Sequence, residues 1–172
     1  MTDQPPPIAD SSSRLAASRA AFAALRPRVE ASGPWGLADN FGTEPEASWG
    51  PREVLAHTAE MLSYWIGEHA RVVEARRPAG DAQPFGRIAT DMLRIGVLER
   101  DRSLPLGELF DRVDAGIARW ERRTTDAQPA DGEAIGVHPR LGEMTADQLR
   151  DRFVVTHLDE HVEQLEALLA AR

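Results

Sequence analysis

Two of the five histidines in this 172-residue chain, His157 and His161, lie four residues apart in the string THLDEH. On an α-helix, residues four apart lie one above the other on the same face. Two neutral imidazoles in that arrangement can share one metal ion, with bonds of about 2.0 to 2.1 Å. Taken alone, the pair also fits two core histidines whose ring nitrogens are satisfied by ordinary hydrogen bonds.

The same string matches H-x-x-E-H, the motif of the inverted zinc proteases, in which Glu160 would be the general base. That chemistry needs a further carboxylate ligand well downstream, and only eleven residues follow His161. A helical wheel also places Glu160 away from both histidines. The protease interpretation is therefore rejected.

A third histidine comes from a second helical segment. The wheel of that segment places His57 at the edge of the apolar face, where its ring can point inward. His69 lies nearer the middle of the same face, but twelve residues along a helix span about 18 Å. We therefore interpret His69 as a structural core residue that cannot share an ion with His57.

Four amphipathic segments must position these histidines. The first begins at Asp10 or the serines at 11–13, and Pro27 is expected to kink or shorten it. The second runs from Pro51 to about Arg76, and the third covers residues 106–126. The fourth follows a capping box at residues 145–148 and carries His157 and His161.

Almost no alternating strand pattern occurs, so the predicted fold is all-α, a four-helix bundle. Residues 33–50 are rich in turn formers and predict a long loop, whereas 81–104 fit either a short helix or a loop. The proline-rich residues 1–9 are expected to be a disordered tail, and residues 10–172 a single domain.

Composition excludes several classes of function. The chain has no cysteine, so a thiol nucleophile would have to come from another molecule. A net charge of -8 and scattered arginines argue against nucleic acid as a partner. No secretory signal and no run of about 18 apolar residues is present, so a cytoplasmic protein without membrane insertion is expected.

Two longer stretches resemble one family. SWGPREVLAHTAEMLSYW, residues 48–65, is similar to a segment of the DinB-like (YfiT-like) metalloenzymes in which tryptophan and proline precede a histidine on helix two. Residues 138–169, with the H-x-x-x-H pair, look like that family's closing segment. The resemblance implies an up-down-down-up bundle in which His57, His157 and His161 hold a divalent metal ion. It also implies that relatives often form homodimers, which the sequence itself does not decide.

Two parts of the chain depart from that pattern. Residues 76–106 have no strong counterpart, so they are expected to cover or reshape the pocket. His138 precedes the fourth helix in a His-Pro pair, where it is either a fourth polar group near the site or a turn residue. We favour the turn, since Pro139 already explains a loop.

Three protein ligands would leave one coordination position open, as in catalytic zinc sites. Relatives include transferases and isomerases that use low-molecular-weight thiols, so the expected function is a metal-dependent S-transferase acting on a small electrophile. Glu60, one turn from His57, is the nearest candidate general base, although a solvated surface acid fits it as well. A metal-dependent hydrolase, a purely structural metal and a non-catalytic bundle that binds a small molecule or partner stay open. Zinc or nickel is expected, and three imidazoles also suit copper or iron.

Overall fold

A computed structural model describes residues 8–39, 48–88 and 91–172 of the chain, including the side chains from Ser11 onward. In chain order the elements are α1 (Ile8–Ala31), α2 (Pro51–Ala75), β1 (Gln83–Pro84), α3 (Met92–Asp101), α4 (Leu106–Asp126), α5 (Pro129–Gly132), β2 (Ile135–His138), β3 (Gly142–Thr145), α6 (Ala146–Arg150), a π-helical turn (Asp151–Val155) and α7 (Thr156–Ala170). The all-α prediction is confirmed, and α3 is a short helix between the second and third long ones. Of the loop predicted at 33–50, residues 40–47 lie outside the described ranges, as do residues 1–7 of the predicted tail.

The predicted helix starts follow from local hydrogen bonds. At the start of α2, the Glu53 carboxylate accepts the backbone N–H of Gly50 at 3.2 Å. At the start of α6, Thr145 accepts the backbone N–H of Gln148 at 3.1 Å, and the Gln148 side chain accepts that of Thr145 at 2.9 Å. This reciprocal pair is the capping box that the sequence predicts.

Of the two effects predicted for Pro27, a kink or a shorter helix, the shortening does not occur, because α1 continues to Ala31. Pro27 is exposed, so the carbonyl group that loses its helical partner can be hydrated. The helix packs against the core on both sides of the proline, since Leu25 is 1% exposed and Val29 is 0% exposed. Burial of the apolar face therefore outweighs the cost of one missing hydrogen bond.

The predicted apolar faces of the first and third helices form the core. Every predicted member is 4% exposed or less: Leu15, Phe22, Leu25 and Val29 in α1, and Leu109, Phe110, Val113, Ile117 and Trp120 in α4. Gly116 lets α2 approach α4 closely, because a Cβ atom there would come within 2.8 Å of Leu62 Cδ1. The bundle is thus closed around one continuous apolar interior.

Side-chain contacts give the directions of the long helices. Helix α1 runs antiparallel to α4, with hydrogen-bonded pairs Arg19–Asp114 and Arg26–Asp111 at 2.7 and 2.6 Å. Helix α2 runs parallel to α4, with pairs Ser63–Arg119 and His69–Arg123, both at 2.8 Å. Helix α7 runs parallel to α1, with pairs Arg14–Asp159 and Arg28–Glu166, both at 2.6 Å. The order is therefore up-down-down-up, and α7 lies antiparallel to α2.

A small three-stranded sheet, which the sequence did not predict, has the order β1-β2-β3. Strand β1 pairs with β2 in parallel, and β2 pairs with β3 antiparallel. Gly136 permits the sheet to approach α2, because a Cβ atom there would lie 2.7 Å from Val72 Cγ2. The sheet thus fixes the chain just before α6.

A π-helical turn interrupts the closing helix just before His157. Its signature is the backbone bond from the N–H of Thr156 to the carbonyl of Asp151, five residues back. The extra residue in this turn rotates the buried face of the helix. Before the turn the buried side chains include Leu149 and Arg150, and within the turn they are Val154 and Val155. None of the helices in the described ranges is long and apolar enough to cross a membrane.

Candidate metal centre

The antiparallel packing of α2 and α7 brings His57, His157 and His161 together, although about a hundred residues separate the first from the others. The Nε2 atoms of His57 and His157 lie 3.0 Å apart. One potential ligand atom from each residue falls within 4.8 Å of the other two. The ring centroid of His57 lies 5.2 Å from that of His157 and 5.0 Å from that of His161. The centroids of His157 and His161 lie 4.6 Å apart. Three imidazoles thus converge on one point inside the bundle.

A hydrogen bond on the outer side of the His161 ring turns its Nε2 atom toward that point. The Nδ1 atom of His161 lies 3.0 Å from the Gln164 side-chain oxygen, to which it can only donate. The Nε2 atom of His161 is buried and has no hydrogen-bond partner among the described residues. An unpartnered buried nitrogen beside two other imidazoles is what a metal site without its ion presents.

Glu160 lies beside His157, so its predicted position away from both histidines is wrong. Its Oε2 atom lies 3.5 Å from His157 Nδ1, because a side chain three residues further along a helix reaches back to the preceding turn. The glutamate is 62% exposed and sits on the outer side of the ring. The other ring nitrogen of His157, Nε2, is the one that faces His57.

Burial keeps the three rings in the neutral form that binds metal. The pKa of His57 is lowered well below its usual value, first by burial and then by the charges of His161 and His157. Burial also lowers the pKa of His161 to about 3 and lowers that of His157. Neutral imidazole has a free lone pair, so metal binding here needs no proton release near neutral pH.

The three clustered histidines differ in their exposure to solvent. His57 and His161 are 4% and 3% exposed, whereas the His157 side chain is 31% exposed. Trp49 closes the cluster beside His57, with its ring centroid 5.3 Å from the imidazole. Among the described residues, His157 is therefore the member of the cluster that is most accessible to solvent.

Glu60 is not a solvated surface acid, so that alternative is wrong. Its side chain is 7% exposed and is paired with Arg87, which comes from the segment between α2 and α3. The Arg87 guanidinium also stacks on the Tyr64 ring, 3.7 Å from its centroid. Glu60 Oε2 is buried and unpartnered within the described part of the chain. The segment between α2 and α3 is thus fixed to α2 one turn from His57.

Arg94, in α3, was not predicted from the sequence. It is 7% exposed, and its Nη2 atom lies 3.4 Å from His57 Nδ1. Nothing in the local sequence distinguishes it from the neighbouring arginines of α3. Only the packing of α3 on α2 shows that it reaches the cluster.

The other two histidines lie outside the cluster. His69 is 5% exposed and accepts a hydrogen bond from Arg123 Nε at 2.8 Å, as a structural core residue would. His138 ends β2, packs on Phe153 with a centroid distance of 5.1 Å, and accepts the backbone N–H of Arg140 at 3.3 Å. That bond closes the turn between β2 and β3, which is the role we favoured for His138.

His69 should make the metal-free protein less stable in acid. Burial and then the Arg123 charge lower its pKa from 6.5 to about 3 in the folded chain. Between these two values the unfolded chain binds a proton that the folded chain does not, so stability falls as pH falls from about 6.5 toward 3. The variant His69→Gln keeps an acceptor for Arg123 and removes this titration.

Urea unfolding with chelator present, at pH about 7 and about 5, measures the effect. Wild-type protein should lose more unfolding free energy between the two conditions than His69→Gln. An equal loss in both proteins would show that His69 does not contribute to acid sensitivity.

Comparison with known proteins agrees with the site geometry. The family model described as the DinB superfamily matches residues 37–165, which include α2, the segment 76–106 and all three clustered histidines. No curated protein and no solved structure matches the chain. A match over this much of the chain, together with the bundle and its helix order, shows the family. The chain belongs to the DinB superfamily.

Proposed function

We propose that this protein is a divalent-metal-dependent enzyme that transfers a small thiol to a small electrophile. The observation that carries the proposal is the convergence of three neutral imidazoles, one of which is partly exposed and another of which has a buried Nε2 atom with no hydrogen-bond partner among the described residues. His57, His157 and His161 would hold the ion through nitrogen, with zinc or nickel as the expected metal. Three protein ligands leave a position for an exchangeable molecule.

The thiol is proposed because the chain has no cysteine and, among the described residues, no carboxylate is placed to activate water. Glu160 contacts the outer nitrogen of His157, and Glu60 is paired with Arg87. A divalent ion lowers the pKa of a thiol that coordinates it, which supplies the nucleophile. A free thiol is stable in a reducing compartment, so we place the protein in the cytoplasm.

The residues of the chain then position and shield the reactants. Gln164 orients the His161 ring, and Trp49 excludes water beside His57. The thiol proton leaves to solvent past His157, the exposed member of the cluster. The sulfur forms a bond to the electrophilic carbon, and the leaving group departs with the electron pair of the bond that breaks.

Thiol conjugation in the presence and absence of a chelator tests this function. Untagged, zinc- or nickel-loaded protein is mixed with glutathione or mercaptoethanol and chlorodinitrobenzene, from which the sulfur displaces chloride. We expect conjugation above the uncatalysed rate, loss of that excess with chelator, and recovery when metal is restored. The variant His157→Ala serves as the blank for traces of metal in the buffer.

Two other results would select an alternative function. A chelator that lowers the melting temperature, in a protein that never accelerates conjugation, indicates a purely structural metal. Hydrolysis of an activated ester that depends on metal and on Glu60 would favour the hydrolase. The unpartnered Oε2 atom of Glu60 is the observation that keeps the hydrolase a candidate.

A further inference from the structure

A groove on the surface of the bundle lies between α2, α3 and α4. Its volume is about 730 Å³, which is in the range of pockets that hold small molecules. Small apolar side chains form part of its wall: Ala59 from α2, Val97 from α3 and Ala115 from α4. The three clustered histidines do not line this groove, so it is a different site from the candidate metal centre.

Three arginines line the groove, and two of them are paired with carboxylates. Arg100 donates to both oxygens of Asp101, at 2.6 and 3.0 Å. Arg112 donates to Asp101 at 3.1 Å and to Glu108 at 2.8 Å. The positive charges of these two arginines are therefore balanced by neighbouring side chains.

The third arginine of the groove, Arg119, has a different partner. Its Nη2 atom donates to the Ser63 hydroxyl at 2.8 Å, and no carboxylate of a described residue forms an ion pair with it. Glu60 also lines the groove, but its carboxylate is paired with Arg87. The groove thus carries one positive charge that its own carboxylates do not balance, in a chain whose net charge is -8.

The bond between Arg119 and Ser63 prepares both side chains for an anion. A guanidinium has five N–H donors in a planar fork, and the bond to Ser63 uses one of them. The other donors match the two oxygens of a carboxylate. The Ser63 hydroxyl accepts from Arg119, so its own proton is available to the same carboxylate.

We propose that the groove between α2, α3 and α4 binds a small organic carboxylate, with the carboxylate at Arg119 and Ser63 and an apolar body against Ala59, Val97 and Ala115. One unbalanced positive charge suits a monoanion better than a phosphate group, whose charge approaches two. The site does not need a metal ion, so it is independent of the proposed function.

Binding of para-fluorophenylacetate to the full-length chain, followed by fluorine NMR, gives the first test. The protein is dialysed against chelator and then against plain buffer, so that no metal ion is present to coordinate the probe. The neutral isostere para-fluorophenylacetamide keeps the apolar body and loses the charge. Wild-type protein should bind the acid several-fold more tightly than the amide, and equal affinities for the two probes would overturn the proposal.

Variants of the arginines in α4 give the second test. Arg119→Gln removes the unbalanced charge and should bind the acid about tenfold more weakly than wild type. Arg122→Gln removes the same charge from an exposed residue of the same helix that does not line the groove, and should bind like wild type. Unchanged affinity in Arg119→Gln, or the same loss in both variants, would contradict the assignment.

A variant that fills the groove keeps the proposal testable if Arg119→Gln does not fold, which circular dichroism shows. Ala115→Leu changes no charge and places a larger side chain in the groove at an exposed position of α4. It should weaken binding of the acid several-fold. Wild-type affinity in Ala115→Leu means that the probe lies elsewhere and defeats the proposal.

Zinc-loaded protein separates this site from the candidate metal centre. The binding that depends on Arg119 should persist when zinc is added. Binding that appears only with zinc and is equal in Arg119→Gln would place the carboxylate on the ion, which overturns the inference and leaves the proposed function standing. A chain that holds no ion but binds the acid through Arg119 defeats the proposed function alone.

Discussion

The variant His157→Ala should lose its divalent ion and keep its helices. Only two imidazoles remain, so the site loses one direct ligand. Loss of a hydrogen-bond partner of a ligand typically lowers metal affinity by roughly tenfold to hundredfold. Loss of the ligand itself should lower zinc affinity by more than that. The helix should survive because alanine has the highest helix propensity, and the replaced side chain is 31% exposed. Metal content by elemental analysis and helix content by circular dichroism measure both effects.

His69→Gln is the matched control for that experiment. It also removes one histidine from the bundle, but His69 bonds to Arg123 and lies outside the cluster. The control should therefore keep one ion per chain. Stoichiometric metal in His157→Ala would refute the ligand assignment, and loss of metal from both variants would show that the ion depends on the fold in general.

Replacing Glu53 with alanine should destabilise the fold by about 3 to 5 kcal/mol, the usual cost of breaking a buried charged pair. The side chain is 0% exposed, and Oε1 accepts the backbone N–H of Ala38 at 2.7 Å and lies 3.3 Å from Arg102. Oε2 accepts the backbone N–H of Gly50. One carboxylate thus ties the loop before α2, the first turn of α2 and the end of α3 together.

Thermal unfolding of the metal-free protein measures this effect. For a domain of this size, the loss corresponds to a fall in melting temperature on the order of 10 °C. Glu53→Gln keeps the shape and one acceptor oxygen, so it should lose less. A change below about 1 kcal/mol in Glu53→Ala would mean that the three elements do not depend on this carboxylate.

The long helices could be predicted because their signals are long and repeated. Residues 106–126 carry apolar side chains at helical spacing and form α4 with the predicted bounds. Pro51 begins α2, and the Thr145 cap begins the closing helix, as expected from local chemistry. The wheels also placed His57 and His161 toward the core. That the fourth helix lies antiparallel to the second came from the family resemblance, since periodicity does not specify helix order.

The small sheet and the π-helical turn were missed for related reasons. Strand β1 has two residues and includes Pro84, and β2 and β3 have four each, too few to display an alternating pattern. The π-helical turn inserts one residue without any distinctive residue type. Both features depend on tertiary packing, which outweighs weak local preferences.

The environment of the site could not be predicted because it comes from distant parts of the chain. Arg94 lies 37 residues from His57 and reaches it only because α3 packs across α2. Glu60 seemed solvated on the wheel of an isolated helix, and the segment that carries Arg87 buries it. The candidate ligand positions are thus carried by the faces of α2 and α7, while the charges around them come from α3 and the segment before it.

Elemental analysis of untagged protein, purified without added metal and then titrated with zinc and nickel, shows whether the three histidines hold an ion. We expect one tightly held divalent ion per chain, removed by chelator and absent from His157→Ala. A chain that neither retains nor takes up an ion, with all three imidazoles intact, would contradict the metal centre and every function proposed through it.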